Sequence, residues 1–298
     1  QLQQQCLAYS VDNGYNWMMY KQNPIIGNPG ILDFRDPKVF RFDNYYVLVL
    51  AAGNRVLSTN LLQWHYLSEF GANHGSHDGV WDINPGGPNG GSATQYFIGT
   101  FDGEKFENIN SAEKTLWIDY GPDCYAGITW FGTSNKNRCF IGWMNNWNYG
   151  NNVPTTPWRG QMTIPRTLSL AEIGNDVYLI SQPVPMLAKL QDSKHKLIYP
   201  KEIRLNVGSS ILLSGGAHLQ SQAFDVKIIF DVNDLKEDDY FELIFANKAG
   251  EYISLSYSNY DKMYRFDRSH TNEVNFHNSF TRVSEAPRLI NDRFIMKD

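Results

Sequence analysis

Three stretches of the chain carry side chains that could bind or cleave a polyol. The first, DFRDPKVF at residues 33–40, places Arg35 and Asp36 side by side, and Pro37 prevents a helix from continuing through them. A carboxylate accepts hydrogen bonds from two hydroxyl groups, and a neighbouring guanidinium keeps it ionised. The pair therefore predicts a polyol contact at the start of a strand, with a surface salt bridge in a turn as the alternative.

The two other stretches are DYGPDCYAGITWF at 119–131 and GWMNNWNYGNNVPTTPWRG at 142–160. In the former, Asp119 and Asp123 flank a Gly-Pro turn that precedes a strand. The latter sets four aromatic side chains among Asn and Pro residues: Trp143, Trp147, Tyr149 and Trp158. Tryptophan on a loop is costly unless a partner covers it, and the C–H face of a sugar is one such partner. Core packing is the alternative, and we expect it for the Trp within a strand, Trp143.

The elements that would position these residues are strands. Short apolar or alternating runs bounded by turn residues dominate the chain, and helical periodicity is weak, so we predict an all-β fold. An apolar strand, a polar turn and an aromatic residue recur in YSVDNGYNW, LSTNLLQW and TFDGEKF, which end at Trp17, Trp64 and Phe106. A period of about 40–50 residues is typical of the outer hairpins of propeller blades, although chance hairpins are the alternative.

The pattern changes in residues 183–207, where three prolines and many charges suggest a linker or strap. Strands with turn signals every 8 to 12 residues follow it, a spacing of about the size seen in β-sandwiches. We therefore predict a propeller-type domain over residues 1–185, a linker over 186–207 and a β-sandwich domain over 208–298.

Composition excludes several classes of function. The net charge is −5 and the charges are interspersed, which argues against nucleic acid as a partner. No apolar run approaches the roughly 18 residues of a membrane span, and residues 1–30 lack the pattern of a signal peptide. The three cysteines show no metal-binding or disulfide spacing, so we expect no metal and no cofactor.

Six blocks of sequence together resemble glycoside hydrolase family 32, the invertases, inulinases and levanases that cleave β-fructofuranosides. They are FRDPKVF, INPGGPNGGSATQYFIGTFDG, DYGPDCYA, GWMNNW, PTTPWRGQMTIPRTLSL and the late ISLSYS…YRFDRS. The resemblance implies a five-bladed β-propeller followed by a β-sandwich, retaining hydrolysis of sucrose or a fructan, and an extracellular or vacuolar location.

The resemblance also implies roles for individual residues. Asp36 matches the Asp of the RDP motif, which grips fructose hydroxyls and stabilises the transition state, and Arg35 lies beside it. Asp123 matches a carboxylate that contacts the sugar. Trp147 matches an aromatic residue near the fructose subsite, and Trp158 is a second candidate there. Cys124 occupies a position where the family pattern leads us to expect an aromatic residue.

The family's other two catalytic carboxylates have no counterpart. The nucleophile motif, similar to Trp-Met-Asn-Asp-Pro-Asn, does not occur, and DGVW at 78–81 joins directly to DINPGG at 82–87 where a Glu-Cys-Pro strand is expected. Asp78, Asp82, His74 and His77 are the nearest titratable residues, but neither carboxylate would replace the missing nucleophile.

The resemblance therefore implies a glycoside hydrolase of the β-fructofuranosidase type, of which we expect the chain as written to be inactive. The alternative is a fructoside-binding pseudoenzyme or an interaction subunit. Missing strands would leave sheet edges exposed, which a second copy could cover. Three accounts stay open: the chain is part of a longer enzyme, a degenerate copy that pairs with another chain, or a truncated inactive product.

Overall fold

A computed structural model describes residues 2–51, 55–59 (backbone only), 61–71, 86–133, 138–192, 202–213, 223–231 and 234–288. Sixteen strands occur in these residues. They are β1 (Ala8–Tyr9), β2 (Met18–Met19), β3 (Arg35–Phe42), β4 (Tyr45–Ala51), β5 (Arg55–Thr59), β6 (Trp64–Glu69), β7 (Gly99–Phe101), β8 (Phe106–Asn108), β9 (Tyr125–Thr129), β10 (Cys139–Trp143), β11 (Arg166–Ile173), β12 (Asp176–Pro183), β13 (Tyr240–Ala246), β14 (Tyr252–Ser258), β15 (Met263–Asp267) and β16 (Ser284–Pro287).

A 3-10 helix, Pro185–Leu190, interrupts this β structure, and it begins one residue before the predicted linker. The all-β prediction is confirmed. In the residues that the structure describes, no helix is long and apolar enough to cross a membrane.

Three four-stranded antiparallel sheets and two hairpins make up the fold. The sheets have the strand orders β3-β4-β5-β6, β12-β11-β10-β9 and β13-β14-β15-β16, and the hairpins are β1-β2 and β7-β8. Each sheet is a meander in which sequential strands are neighbours, the arrangement found in propeller blades.

The repeated aromatic residues mark hairpins, as the sequence pattern predicts. Trp64 pairs with Thr59 across β5 and β6, and Phe106 pairs with Phe101 across β7 and β8. Trp17 immediately precedes β2, which pairs with β1. Aromatic residues in cross-strand pairs stabilise hairpins, which gives the pattern a physical reason to recur.

The buried core of the first sheet lies beneath β3 and β4. Phe34, Leu48 and Leu50 form a cluster, and partly buried apolar side chains pack against it: Ile26, Ile31, Val39 and Trp64. Phe34 comes directly before Arg35, so the burial of one side chain fixes the position at which the polar pair leaves the core.

Candidate functional site

Asp36 is presented to solvent by a bulge at the start of β3. Arg35 pairs with Ala51 and Lys38 with Val49, so the register with β4 shifts between Arg35 and Lys38. A bulge forms here because Pro37 has no N–H to donate to the ladder. Asp36 has φ +56° and its side chain is 76% exposed. Bulges redirect side chains in this way, and this one directs a carboxylate outwards.

Arg35 lies between two carboxylates. Its Nε is 3.5 Å from Oδ2 of Asp36, and its Nη1 donates a hydrogen bond to Oδ1 of Asp33. The salt bridge that was the alternative interpretation is thus present, yet it leaves most of the Asp36 carboxylate open to a ligand.

The start of β9 lies beside this pair. Lys38 Nζ donates to the backbone carbonyl of Thr129 at 2.5 Å, which joins β3 to β9. Burial raises the pKa of Tyr125 at the other end of β9, and the charges of Arg35 and Asp36 act on the same phenol in opposite directions. The segment that leads into Tyr125 contains Asp123, so both predicted aspartates belong to one region of the protein.

Asp123 is held by two partners inside the protein. Its Oδ1 accepts from the Tyr149 hydroxyl at 2.5 Å and its Oδ2 from Arg268 Nη1 at 2.6 Å. The Asp123 side chain is 18% exposed, and that of Arg268 is 14% exposed. Burial raises the pKa of Tyr149, with the Asp123 charge acting in the same direction and Arg268 opposing both. Tyr149 therefore stays a neutral donor to the carboxylate.

The predicted tryptophans differ in their surroundings. The Trp147 ring lies 5.2 Å from that of Trp143, and its backbone N–H donates to Ser92 Oγ at 3.0 Å. Trp147 is 43% exposed, which leaves room for stacking, and Trp158 is 73% exposed. Trp143 is half-buried in β10, as its place in a strand predicts. Among the described residues, no ring contact joins Trp158 to the other predicted residues.

Asn146 ties together the loops that carry these side chains. Its Nδ2 donates to the carbonyls of Pro122 at 2.7 Å and Gly90 at 3.3 Å, and its Oδ1 accepts from the backbone N–H of Asn148 at 2.9 Å. The side chain is buried. Buried amides that satisfy backbone groups of separate loops fix those loops relative to one another.

A second ion pair, between Arg166 and Asp119, holds the same loop. Arg166 Nη1 donates to Oδ2 of Asp119 at 2.8 Å, and Nη2 lies 3.0 Å from the sulfur of Cys124. The other Asp119 oxygen accepts from the backbone N–H of Gly121 at 2.6 Å. Both carboxylate oxygens of Asp119 thus accept hydrogen bonds from within the protein. Cys124 occupies a buried position where the family pattern led us to expect an aromatic ring.

Asn146 and Arg268 were not among the residues predicted from the sequence. Both lie in blocks that carry the family resemblance, GWMNNW and YRFDRS. The two asparagines between Trp143 and Trp147 are the sequence signal that could have pointed to Asn146. In the part of the chain that the structure describes, no three His, Cys, Asp or Glu side chains are grouped closely enough to hold a metal ion.

The comparison that decides the family is with a model of the glycosyl hydrolases family 32 N-terminal domain, which matches residues 1–85 and 77–183. The chain belongs to glycoside hydrolase family 32. It is 37% identical to a levanase of Bacillus subtilis (strain 168), an alignment that covers 96% of this chain and 46% of the levanase. It is 33% identical to the extracellular exo-inulinase inuE of Aspergillus ficuum, over 96% of this chain and 60% of that protein.

Solved structures of the family show the same fold. The crystal structure of exo-inulinase from Aspergillus awamori aligns with a TM-score of 0.78 at 29% identity, covering 96% of this chain and 62% of that one. The fructofuranosidase of Schwanniomyces occidentalis complexed with fructose aligns at 0.72. The propeller prediction is thereby confirmed. The β-sandwich, the domain boundaries and the number of blades stay predictions. The chain spans about half to three fifths of the length of these relatives.

The family match falls into two pieces that overlap at residues 77–85. This is the place where DGVW joins DINPGG and where the Glu-Cys-Pro strand was expected. The junction, together with Asp78, Asp82, His74 and His77, lies outside the described residues. The described part resumes at Gly86, in the loop that Asn146 holds.

Proposed function

We propose that this chain binds the terminal fructosyl unit of a fructan or of sucrose, and that it derives from a retaining β-fructofuranosidase. The observation that carries the proposal is Asp36, which is exposed on a bulge beside Arg35 in a member of a family whose relatives are levanases and inulinases. The relatives include extracellular enzymes, so we place the function outside the cell.

Asp36 has the chemical properties that a transition-state stabiliser requires. A carboxylate can accept hydrogen bonds from two neighbouring sugar hydroxyls, and its negative charge favours the positive charge that develops on the ring in an oxocarbenium-like transition state. Trp147, which is exposed on its loop, offers a face for the apolar side of the sugar.

Hydrolysis with retention needs two more carboxyl groups, a nucleophile and an acid/base, about 5–5.5 Å apart. Neither family motif occurs within the 298 residues. A displaced carboxylate would not substitute, because the reaction tolerates errors of only about 0.5 Å in the placement of catalytic groups. We therefore propose that the chain as written binds fructosides without cleaving them.

The test measures binding and turnover on the same preparations. Titration calorimetry with sucrose and inulin oligosaccharides is carried out on the wild type, Asp36→Ala and a control, Asp238→Ala, which removes an exposed carboxylate from a turn in the C-terminal part. We expect binding by the wild type and the control, and a loss of at least tenfold in Asp36→Ala.

Fructose release from levan, inulin and sucrose is measured in parallel. Release that depends on Asp36 would show that the chain is a hydrolase and contradict the binding-only proposal. If the chain binds none of these saccharides, both the binding-only proposal and the hydrolase alternative are contradicted.

A further inference from the structure

We propose that Arg268, supplied by the segment that follows β15 in the C-terminal sheet, is a positioning residue of the fructoside site and acts through Asp123. This inference rests on the proposed function. It means that ligand affinity at a loop of the propeller domain depends on a side chain 145 residues further along the chain.

Each of the three guanidinium nitrogens of Arg268 donates a hydrogen bond. Nη1 donates to Asp123 Oδ2 at 2.6 Å, Nη2 to the Tyr149 hydroxyl at 2.8 Å, and Nε to the backbone carbonyl of Phe280 at 2.8 Å. Three different nitrogens of the planar fork are thus each engaged by a separate acceptor. Such a geometry specifies arginine, because a lysine ammonium is a point charge without a fixed plane.

The flat face of the guanidinium is covered as well. Its carbon lies 3.7 Å from the centroid of the Phe280 ring and 5.6 Å from that of Tyr149. Tyr149 packs edge-on against Phe280 with ring centroids 5.5 Å apart. Aromatic cover of this kind removes water from the ion pair and adds cation–π attraction, so the arginine is held in one orientation.

The Asp123 carboxylate keeps capacity for a ligand. A carboxylate has about four acceptor positions, and the described contacts of Asp123 occupy one on each oxygen. The Asp123 side chain is 18% exposed, so a sugar hydroxyl would reach the carboxylate over only a small part of its surface. Arg268 and Tyr149 therefore set the direction of the remaining lone pairs.

Removal of Arg268 would leave a carboxylate that is mostly out of water with no cation beside it. An unpaired carboxylate in such a place raises the free energy of the folded state, and the side chain would turn towards solvent. That turn changes the hydrogen bonds that Asp123 offers to a fructosyl hydroxyl. An exposed surface salt bridge would have no comparable effect, because water replaces the lost partner.

The experiment is a double-mutant cycle on affinity. Titration calorimetry with sucrose and inulin oligosaccharides compares the wild type, Arg268→Met, Arg268→Lys, Asp123→Asn and the double variant. We expect Arg268→Met to weaken binding at least tenfold and Arg268→Lys to recover part of the loss. In the Asp123→Asn background, Arg268→Met should change affinity less than twofold, because its target is already gone.

A control in β15, the strand that immediately precedes Arg268, separates positioning from stability. Arg265 pairs with Asp261 and Glu285 and does not contact Asp123. Arg265→Met should lower the melting temperature while affinity stays unchanged. All comparisons use folded protein, verified by circular dichroism, and if Arg268→Met fails to fold, Arg268→Lys and Asp123→Asn carry the test.

Two results would overturn the inference alone: unchanged affinity in the Arg268 variants that fold, or losses in Arg268→Met and Asp123→Asn that simply multiply in the double variant. A wild type that binds no saccharide would overturn the proposed function as well. The two failures are therefore distinguishable.

Discussion

A Cβ atom placed on Gly91 would lie 2.1 Å from Oδ1 of Asn146, well inside any permitted contact. The glycine also has φ +69°, a conformation that other residues adopt at a cost. Gly91 thus allows close approach between its loop and a buried amide, and that amide in turn holds the Pro122 carbonyl ahead of Asp123.

We expect Gly91→Ala to lower the free energy of unfolding by about 3 kcal/mol, because both the left-handed backbone and the contact with Asn146 oppose a methyl group. Chemical denaturation measures the effect. The matched control is Gly27→Ala, since a Cβ at Gly27 meets nothing within 4 Å. A Gly91→Ala protein as stable as the control would contradict the packing described for the loop.

Asp36 should be dispensable for folding. Its side chain is exposed and Asn is tolerated in the left-handed region, so Asp36→Asn should change the free energy of unfolding by less than about 0.5 kcal/mol. Affinity for sucrose and inulin oligosaccharides should fall at least tenfold. Asp43 shares the left-handed backbone at φ +46° and is exposed, so Asp43→Asn is the control and should retain full affinity. Equal losses in the two variants would remove Asp36 from the site.

One thiol should react much faster than the other two. Cys6 is exposed, whereas Cys124 and Cys139 are buried. Burial raises the pKa of the Cys124 thiol, with the Asp119 charge acting in the same direction, so little thiolate forms at neutral pH. A coloured disulfide reagent should titrate one group quickly and two only after unfolding. Cys6→Ser should abolish the fast phase, and a fast phase that persists would show that a buried cysteine is accessible.

Acid should weaken the C-terminal sheet through Asp261. The hydrogen bonds from Arg265 lower the pKa of Asp261 to about 2. A group whose pKa is depressed in the folded state stabilises the fold above its unfolded pKa, and that contribution is lost as the pH falls from about 4 towards 2. The melting temperature of the wild type should therefore fall further over this pH range than that of Asp261→Asn. Parallel pH profiles for the two proteins would contradict the assignment.

Local patterns in the sequence predict much of the fold. Alternation of apolar and polar residues depends only on neighbours two positions apart, so the strands and the hairpins ending at Trp64 and Phe106 can be recognised without tertiary information. The bulge at Asp36 is also foreshadowed locally, because Pro37 cannot take part in a ladder. The adjacency of Arg35 and Asp36 makes that part of the site visible in sequence.

The partners of Asp123 could not be predicted from the sequence. Tyr149 lies 26 residues away and Arg268 lies 145 residues away, and nothing in a single sequence pairs one carboxylate with one arginine over such distances. The same holds for Asn146, whose role depends on the carbonyls of two other loops. The resemblance to a family supplied the residue types, while only the three-dimensional packing supplied their partners.

The loop at residues 86–94 draws its described support from residues that follow it in the chain. Asn89 donates to the carbonyls of Tyr120 and Glu285 and accepts from the backbone N–H of Glu285, and Asn146 holds Gly90. These supports link the loop to a residue 196 positions further along the chain. Its conformation therefore depends on β16 of the C-terminal sheet as well as on its own sequence.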